Sequence, residues 1–265
     1  MKYRATIAAA LLAAGMARAS GPGISPPAFD ADDALRVSQA AIGRRMDPGI
    51  AFVDERGRRR SLAEFRGRPL IISPVYTSCF GVCPTTTTRL REVAGIASEV
   101  LGPGSFAVLT IGFDTANDTP ERMRGFAAAR GSFPSNWVFG AADATTVARL
   151  LAGVGFTYAP TARGFDHMIQ ATILDAEGVV FRQVYGQEIE LPQLVEPLKK
   201  LALGQRAGEG TLDAAIEGVR LFCTVFDPKS GRYRFDWSIV LSFAIGVSCF
   251  AAVAAFLWRG WLRAA

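Results

Sequence analysis

Two cysteines separated by three residues, Cys79 and Cys83, and one histidine, His167, carry the chemistry this chain can offer. The chain has only four cysteines, and His167 is its sole histidine. Thiolates and imidazole are the ligands that copper or zinc sites take. The pair lies in Tyr76-Thr77-Ser78-Cys79-Phe80-Gly81-Val82-Cys83-Pro84, after the apolar run 70–75 and before a helix-like segment that Pro84 opens. A helix N-terminus lowers the pKa of a neighbouring thiol, and helical residues four apart share a face, so both sulfurs can point at one centre. Spacing alone leaves three uses open: a structural disulfide, a redox dithiol with one residue more than Cys-x-x-Cys, or a metal site with a third ligand. His167 is the histidine that can supply that ligand. Its plain alternative is a hairpin-edge side chain bonded to backbone or water.

These residues need elements to hold them. Residues 50–54 read as a strand entering a turn at 55–57, and 61–65 as a short helical turn with a capping-box pattern. Residues 106–113 are a continuous apolar run, the mark of a strand buried on both faces. Helical spacing covers 85–100, with Leu90, Val93, Ala94 and Ala97 on one face. Asp118-Thr119-Pro120-Glu121 opens the next helix, with Asp118 as its cap. A short strand at 137–140, a helix at 143–153, a hairpin of 169–174 and 179–185 around a turn containing Gly178, and a helix at 191–203 complete the series. This alternation implies an α/β domain, a central mixed sheet with flanking helices. A cysteine pair at a strand-to-helix turn of such a sheet describes a thioredoxin-like fold. There the loop 163–166, leading into the hairpin, lies next to the cysteine turn and brings His167 within reach.

The ends of the chain differ from its middle. Residues 1–19 combine a basic start, a short apolar core and Ala17-Arg18-Ala19, the parts of a secretory signal peptide. Residues 20–49 form an N-terminal extension, 50–203 the thioredoxin-like domain, and 204–236 a membrane-proximal linker with an amphipathic segment. Residues 238–258 carry no charge, which is the length and composition of a membrane span, so 237–258 are expected to be a transmembrane helix and 259–265 a short cytoplasmic tail. Cys249 falls inside that span as a small apolar residue, and Cys223 reads as a packed thiol near the membrane surface. The net charge of +5 is scattered, with no basic stripe interleaved with aromatics, so nucleic acid is not an expected partner.

Three separated motifs occur in order: Tyr76-Thr77-Ser78-Cys79 through Cys83-Pro84, then Asp114 with Asp118-Thr119-Pro120-Glu121, then Asp166-His167. Together with Phe52-Val53-Asp54, Gly57 and Phe65-Arg66-Gly67-Arg68-Pro69, they resemble the Sco/SenC family of copper chaperones over about residues 51–203. The resemblance implies a copper ion, Cu(I) or Cu(II), held by Cys79, Cys83 and His167. Asp166 would orient the imidazole, and Asp114 and Asp118 would form the family's acidic motif. It implies a chaperone rather than an enzyme, serving the binuclear copper centre of cytochrome c oxidase, whose copper-containing subunit is the expected partner. The alternative is a thiol-disulfide oxidoreductase that reduces cysteines of an oxidase subunit or another exported protein. The expected location is the bacterial inner membrane, single-pass, with the functional domain in the periplasm and an exported thiol reductant keeping the pair reduced. Three departures stand out: Phe80 occupies a common proline position and is expected to wall the site, Thr115 follows Asp114 where proline is frequent, and the span is C-terminal.

Overall fold

The apolar runs of the sequence become strands with no exposed residue. In the computed structural model, which describes residues 29–206, 224–227, 230, 232–235 and 237–264, β3 (Leu70–Val75), β4 (Ala107–Gly112) and β5 (Trp137–Ala141) are buried along their whole length. They run parallel, β4 between the other two, with Val75 opposite Gly112 where β3 ends. Parallel neighbours need long crossovers. These are α2 (Val82–Leu101) between β3 and β4, and α3 (Pro120–Ala128) between β4 and β5. The antiparallel hairpin β8 (Gln170–Leu174) and β9 (Val180–Tyr185) joins the other side of β3. The hairpin β1 (Ala51–Asp54) and β2 (Arg59–Ser61) extends the sheet beyond β5, giving the order β2-β1-β5-β4-β3-β8-β9. The mixed α/β architecture is thioredoxin-like. It also includes α1 (Ala31–Gln39), α4 (Ala144–Val154) and α5 (Leu191–Arg206).

At the β1–β2 turn the buried Asp54 carboxylate accepts the Arg56 and Arg58 amides at 3.0 and 2.9 Å and the Arg58 Nε at 2.8 Å. The capping pattern at 61–65 is a 3-10 turn in which the Ser61 N–H donates to Glu64 Oε1 at 3.0 Å.

Three expectations are corrected. Residues 164–166 are not a loop: β7 (Gly164–His167) pairs antiparallel with β6 (Tyr158–Thr161) in a two-stranded ribbon separate from the main sheet. Its burial is only partial, so no apolar alternation announces it. The linker 204–236 contains a hairpin, β10 (Thr224–Asp227) and β11 (Arg232–Phe235). It is held on α5, with Tyr233 donating to Glu196 Oε1 at 3.0 Å and Lys199 donating to the Thr224 carbonyl. The expected transmembrane segment lies in α6 (Trp237–Ala264), a 28-residue helix. Among the described residues, however, no helix is long and apolar enough to cross a membrane, so a C-terminal transmembrane helix is not supported by the fold. The signal-like segment 1–19 and residues 207–223, with Cys223, lie outside the described residues.

Candidate metal centre

The thiol pair sits where β3 leaves the core. Tyr76 is the last buried residue, and the chain then turns so that α2 begins at Val82 with Gly81 as its cap. The helix therefore starts before Pro84, and Cys83 stands in its first turn. Cys83 is 4% exposed, while Cys79 is half-buried; both are free thiols, as is Cys249. The Cys83 N–H, an orphan donor of the helix start, donates to Cys79 Sγ at 3.3 Å. The two thiols are therefore unequal. Burial alone would raise Cys79, but the N–H groups of Cys83 and Gly81, the Cys83 thiol and the Tyr76 hydroxyl hold it below the ordinary thiol value. Burial pushes Cys83 up to about 12, with Cys79 and Asp118 adding to the rise.

Asp118 fixes the loop from the neighbouring strand. Its Oδ1 accepts the Thr77 N–H at 2.8 Å and the Thr77 hydroxyl at 2.7 Å, and its Oδ2 accepts the Asp114 N–H at 2.9 Å. Burial nevertheless raises its pKa. The expected capping role is corrected: Thr119 caps α3, its Oγ1 accepting the Arg122 N–H at 3.3 Å. A Cβ on Gly112 would lie 2.5 Å from Asp118 Cβ, so only glycine at the end of β4 leaves room for this tether. Asp114 shapes the turn itself, its Oδ2 accepting Asn117 Nδ2 at 2.8 Å and its carbonyl accepting the Asn117 and Asp118 amides.

His167 stands at the end of β7 among aromatic rings, with centroid separations of 6.0 Å to Tyr76, 5.4 Å to Phe113 and 5.4 Å to Phe156. Its Nδ1 is 2.9 Å from the Met168 carbonyl. A carbonyl only accepts, so Nδ1 carries the proton and Nε2 holds the lone pair. Burial lowers its pKa against the opposing pull of Met168 and Asp166, which favours the neutral, ligating imidazole. Asp166 is exposed, and strand alternation puts it on the face opposite His167; the Met168 carbonyl, not Asp166, orients the ring. Phe80 does not wall the site: it is 100% exposed.

The structure thus brings Cys79 and Cys83 together and leaves His167 joined to them through Tyr76. Among the described residues, no group of three His, Cys, Asp or Glu side chains is close enough to hold a metal. The donor set itself fits a soft ion, with two sulfurs on one helical turn and a neutral imidazole on an adjacent ribbon. Sequence reasoning assigned no role to Tyr76 or Thr77. The available signal was a tyrosine at the end of a buried strand, whose hydroxyl must find a partner.

The SCO1/SenC family model matches residues 41–203, which include Cys79, Cys83 and His167. The chain belongs to the SCO1/SenC family. Its fold is shared with the protein described as "putative electron transfer protein from Aquifex aeolicus VF5", at 27% identity and a TM-score of 0.55, covering 60% of this chain and 92% of that one. A SCO1/SenC family lipoprotein from Bacillus anthracis str. Ames aligns at 17% identity and TM-score 0.55, over 60% of this chain and 96% of the other. BsSco, a member of the Sco family of cytochrome c oxidase assembly proteins in which a disulfide switch has been identified, aligns at 18% identity and TM-score 0.52, over 60% and 94%. At those last two identities the likeness is one of fold. No curated protein matches the chain.

Proposed function

We propose that this Sco/SenC protein binds copper through Cys79, Cys83 and His167 and delivers it to, or prepares, the binuclear copper centre of cytochrome c oxidase, acting on the copper-containing subunit. The observation that carries this reading is the free thiol pair at the start of α2, beside a ribbon that offers a neutral imidazole, in a Sco/SenC chain. Cu(I) accepts two thiolates and one imidazole in a low-coordinate site; Cu(II) would add an oxygen donor or water. Cys79, more exposed and with the lower pKa, meets the ion first, and loading must displace the proton of buried Cys83. The proposed location rests on the signal pattern of residues 1–19, which supports export, with the domain in the periplasm and an exported thiol reductant as partner. Protease accessibility of the domain in intact spheroplasts tests that placement.

Metal titration of the full chain in detergent, wild type against His167→Ala, tests the ligand set. Weaker binding by the variant is expected; equally tight binding overturns the three-ligand site. The inequality of the thiols favours one second reading, a thiol-disulfide oxidoreductase with Cys79 as attacking thiolate and Cys83 as the buried resolving thiol. Efficient metal-free turnover of a disulfide substrate, unchanged by His167→Ala, would select it.

A further inference from the structure

The ribbon that carries His167 leaves the core and returns to it at one point. Gln170 Nε2 donates to the Val154 carbonyl at 3.1 Å, which closes the chain between them on itself. Within that closed segment lie β6, β7 with His167, and Phe156, whose ring is 5.4 Å from the imidazole. The same Val154 carbonyl accepts Gln183 Nε2 at 2.9 Å, and Gln183 Nε2 also donates to the Ser38 carbonyl at 3.2 Å. Gln183 Oε1 accepts the Thr172 hydroxyl at 2.6 Å and Gln170 Nε2 at 3.1 Å, and the Thr172 oxygen accepts Gln170 Nε2 at 3.1 Å. Ser38, Val154, Gln170, Thr172 and Gln183 are all buried. The chain around the end of α1 presses on the same point: a Cβ on Gly155, where φ is +68°, would lie 2.7 Å from Ala41 Cβ and 2.8 Å from the Val37 carbonyl oxygen.

A polar knot in a dry core holds one arrangement, because any other leaves buried donors and acceptors unmet. The hairpin does not need the knot to form, since β8 already pairs with both β9 and β3. What the knot adds is a fixed origin for the flap that emerges from it.

We propose that Gln170 and Gln183 are positioning residues: they clamp both ends of the His167 flap to the Val154 carbonyl, so that the ribbon moves about a fixed base and the imidazole keeps one approach to the thiols. The inference rests on the copper-binding reading for its purpose, while the clamp itself can be measured without metal. A metal-free measurement therefore separates the two.

Two variants test it on the full chain, metal-free and reduced. Gln183→Leu removes the clamp from β9, and Thr172→Val keeps the side-chain shape but removes the hydroxyl that both glutamines use; should the first fail to fold, the second decides. His167 is the sole histidine, so its imidazole C–H signals are unambiguous in NMR, and the rings of Tyr76, Phe113 and Phe156 around it make them sensitive to its seat. Both variants are expected to shift those signals. Amide hydrogen exchange at Phe156, whose N–H donates to the Leu151 carbonyl at 2.9 Å, should speed up about tenfold, the factor of one lost hydrogen bond, while Val108 and Leu109 in β4 stay protected. Unmoved imidazole signals overturn the proposal, as does exchange that rises equally in β4, the mark of general loosening. In competition with a chromophoric chelator, Cu(I) affinity should fall about tenfold in Gln183→Leu, in line with an outer partner that orients a ligand, and the loss should vanish when His167→Ala is already present. An equal loss in both backgrounds overturns positioning through His167. Wild-type-like copper affinity in His167→Ala alone would instead sink the copper reading, with the metal-free result standing.

Discussion

The two halves of the candidate site are built differently. The thiol half grows out of the core: β3 is buried at every position, pairs with β4 and β8, and continues into the 20-residue α2. The imidazole half is a short ribbon whose strands pair only with each other, with Tyr158, Pro160, Thr161 and Asp166 exposed. It is held mainly by the rings of Tyr76, Phe113 and Phe156, which pack on Phe165, Tyr158 and His167 of the ribbon. Elements with few buried contacts open at low free-energy cost. A stiff pair of donors joined to a compliant third can capture an ion first and enclose it second, and the enclosing step can be reversed for delivery.

The largest expected effect contrasts the two halves directly. Cys83→Ala removes a donor that the core holds in place, and should weaken Cu(I) binding by more than about 100-fold, beyond the usual loss for an outer partner. His167→Ala should lose less in the same chelator competition. Equal losses would break the contrast between stiff and compliant donors.

Gly112→Ala acts on the thiol half alone. The added methyl collides with Asp118 and should push it from Thr77, costing about 1–3 kcal/mol in thermal or denaturant unfolding. Exchange at the ribbon amides should be unaffected; a matching change there would mean that the halves are not separable.

Asp54→Asn touches neither half. Burial pushes the Asp54 carboxyl up, but the Arg58 and Arg56 amides and the Arg58 guanidinium outweigh it and hold the pKa below 3.8. A depressed carboxylate contributes stability above its unfolded pKa and loses it as pH falls through the folded value. The wild-type melting temperature should therefore decline with acid from just above 3.8 downward, and Asp54→Asn should flatten that decline. At neutral pH it should cost about 1–2 kcal/mol with copper affinity unchanged. A parallel acid profile in both proteins would rule out Asp54 as the source. The smallest effect belongs to Phe80→Ser: a side chain with no contact to lose should shift stability by less than about 0.5 kcal/mol, and a larger shift would show that it packs.

The thiol half was legible in the sequence because its signals are local. Apolar runs mark β3 and β4, helical spacing marks α2, and the Cys79–Cys83 spacing survives into the structure. The imidazole half was not, because nothing in Tyr158-Ala159-Pro160-Thr161 alternates, and the ribbon is packed by the rings of Tyr76, Phe113 and Phe156 from outside its strands. Asp118 shows why local rules misassign. It and Thr119 are equally good caps by composition, and only the fold reveals that Thr77, distant in sequence, takes Asp118 and leaves the cap to Thr119. Likewise the Asp166-His167 adjacency implied an orienting carboxylate, whereas strand alternation separates the two side chains and a backbone carbonyl does the work.

The tether from Asp118 to Thr77 spans 41 residues of chain. A contact of that separation forms only after the intervening helix and strand are in place, since closing the loop costs entropy that local structure does not repay. The thiols are made early and become organised late. A chain that is still unfolded presents two loose cysteines with no ordered loop behind them, so copper loading should follow folding rather than guide it. In a refolding experiment, copper-binding competence should lag behind recovery of the sheet; competence that appears before the sheet would contradict this order.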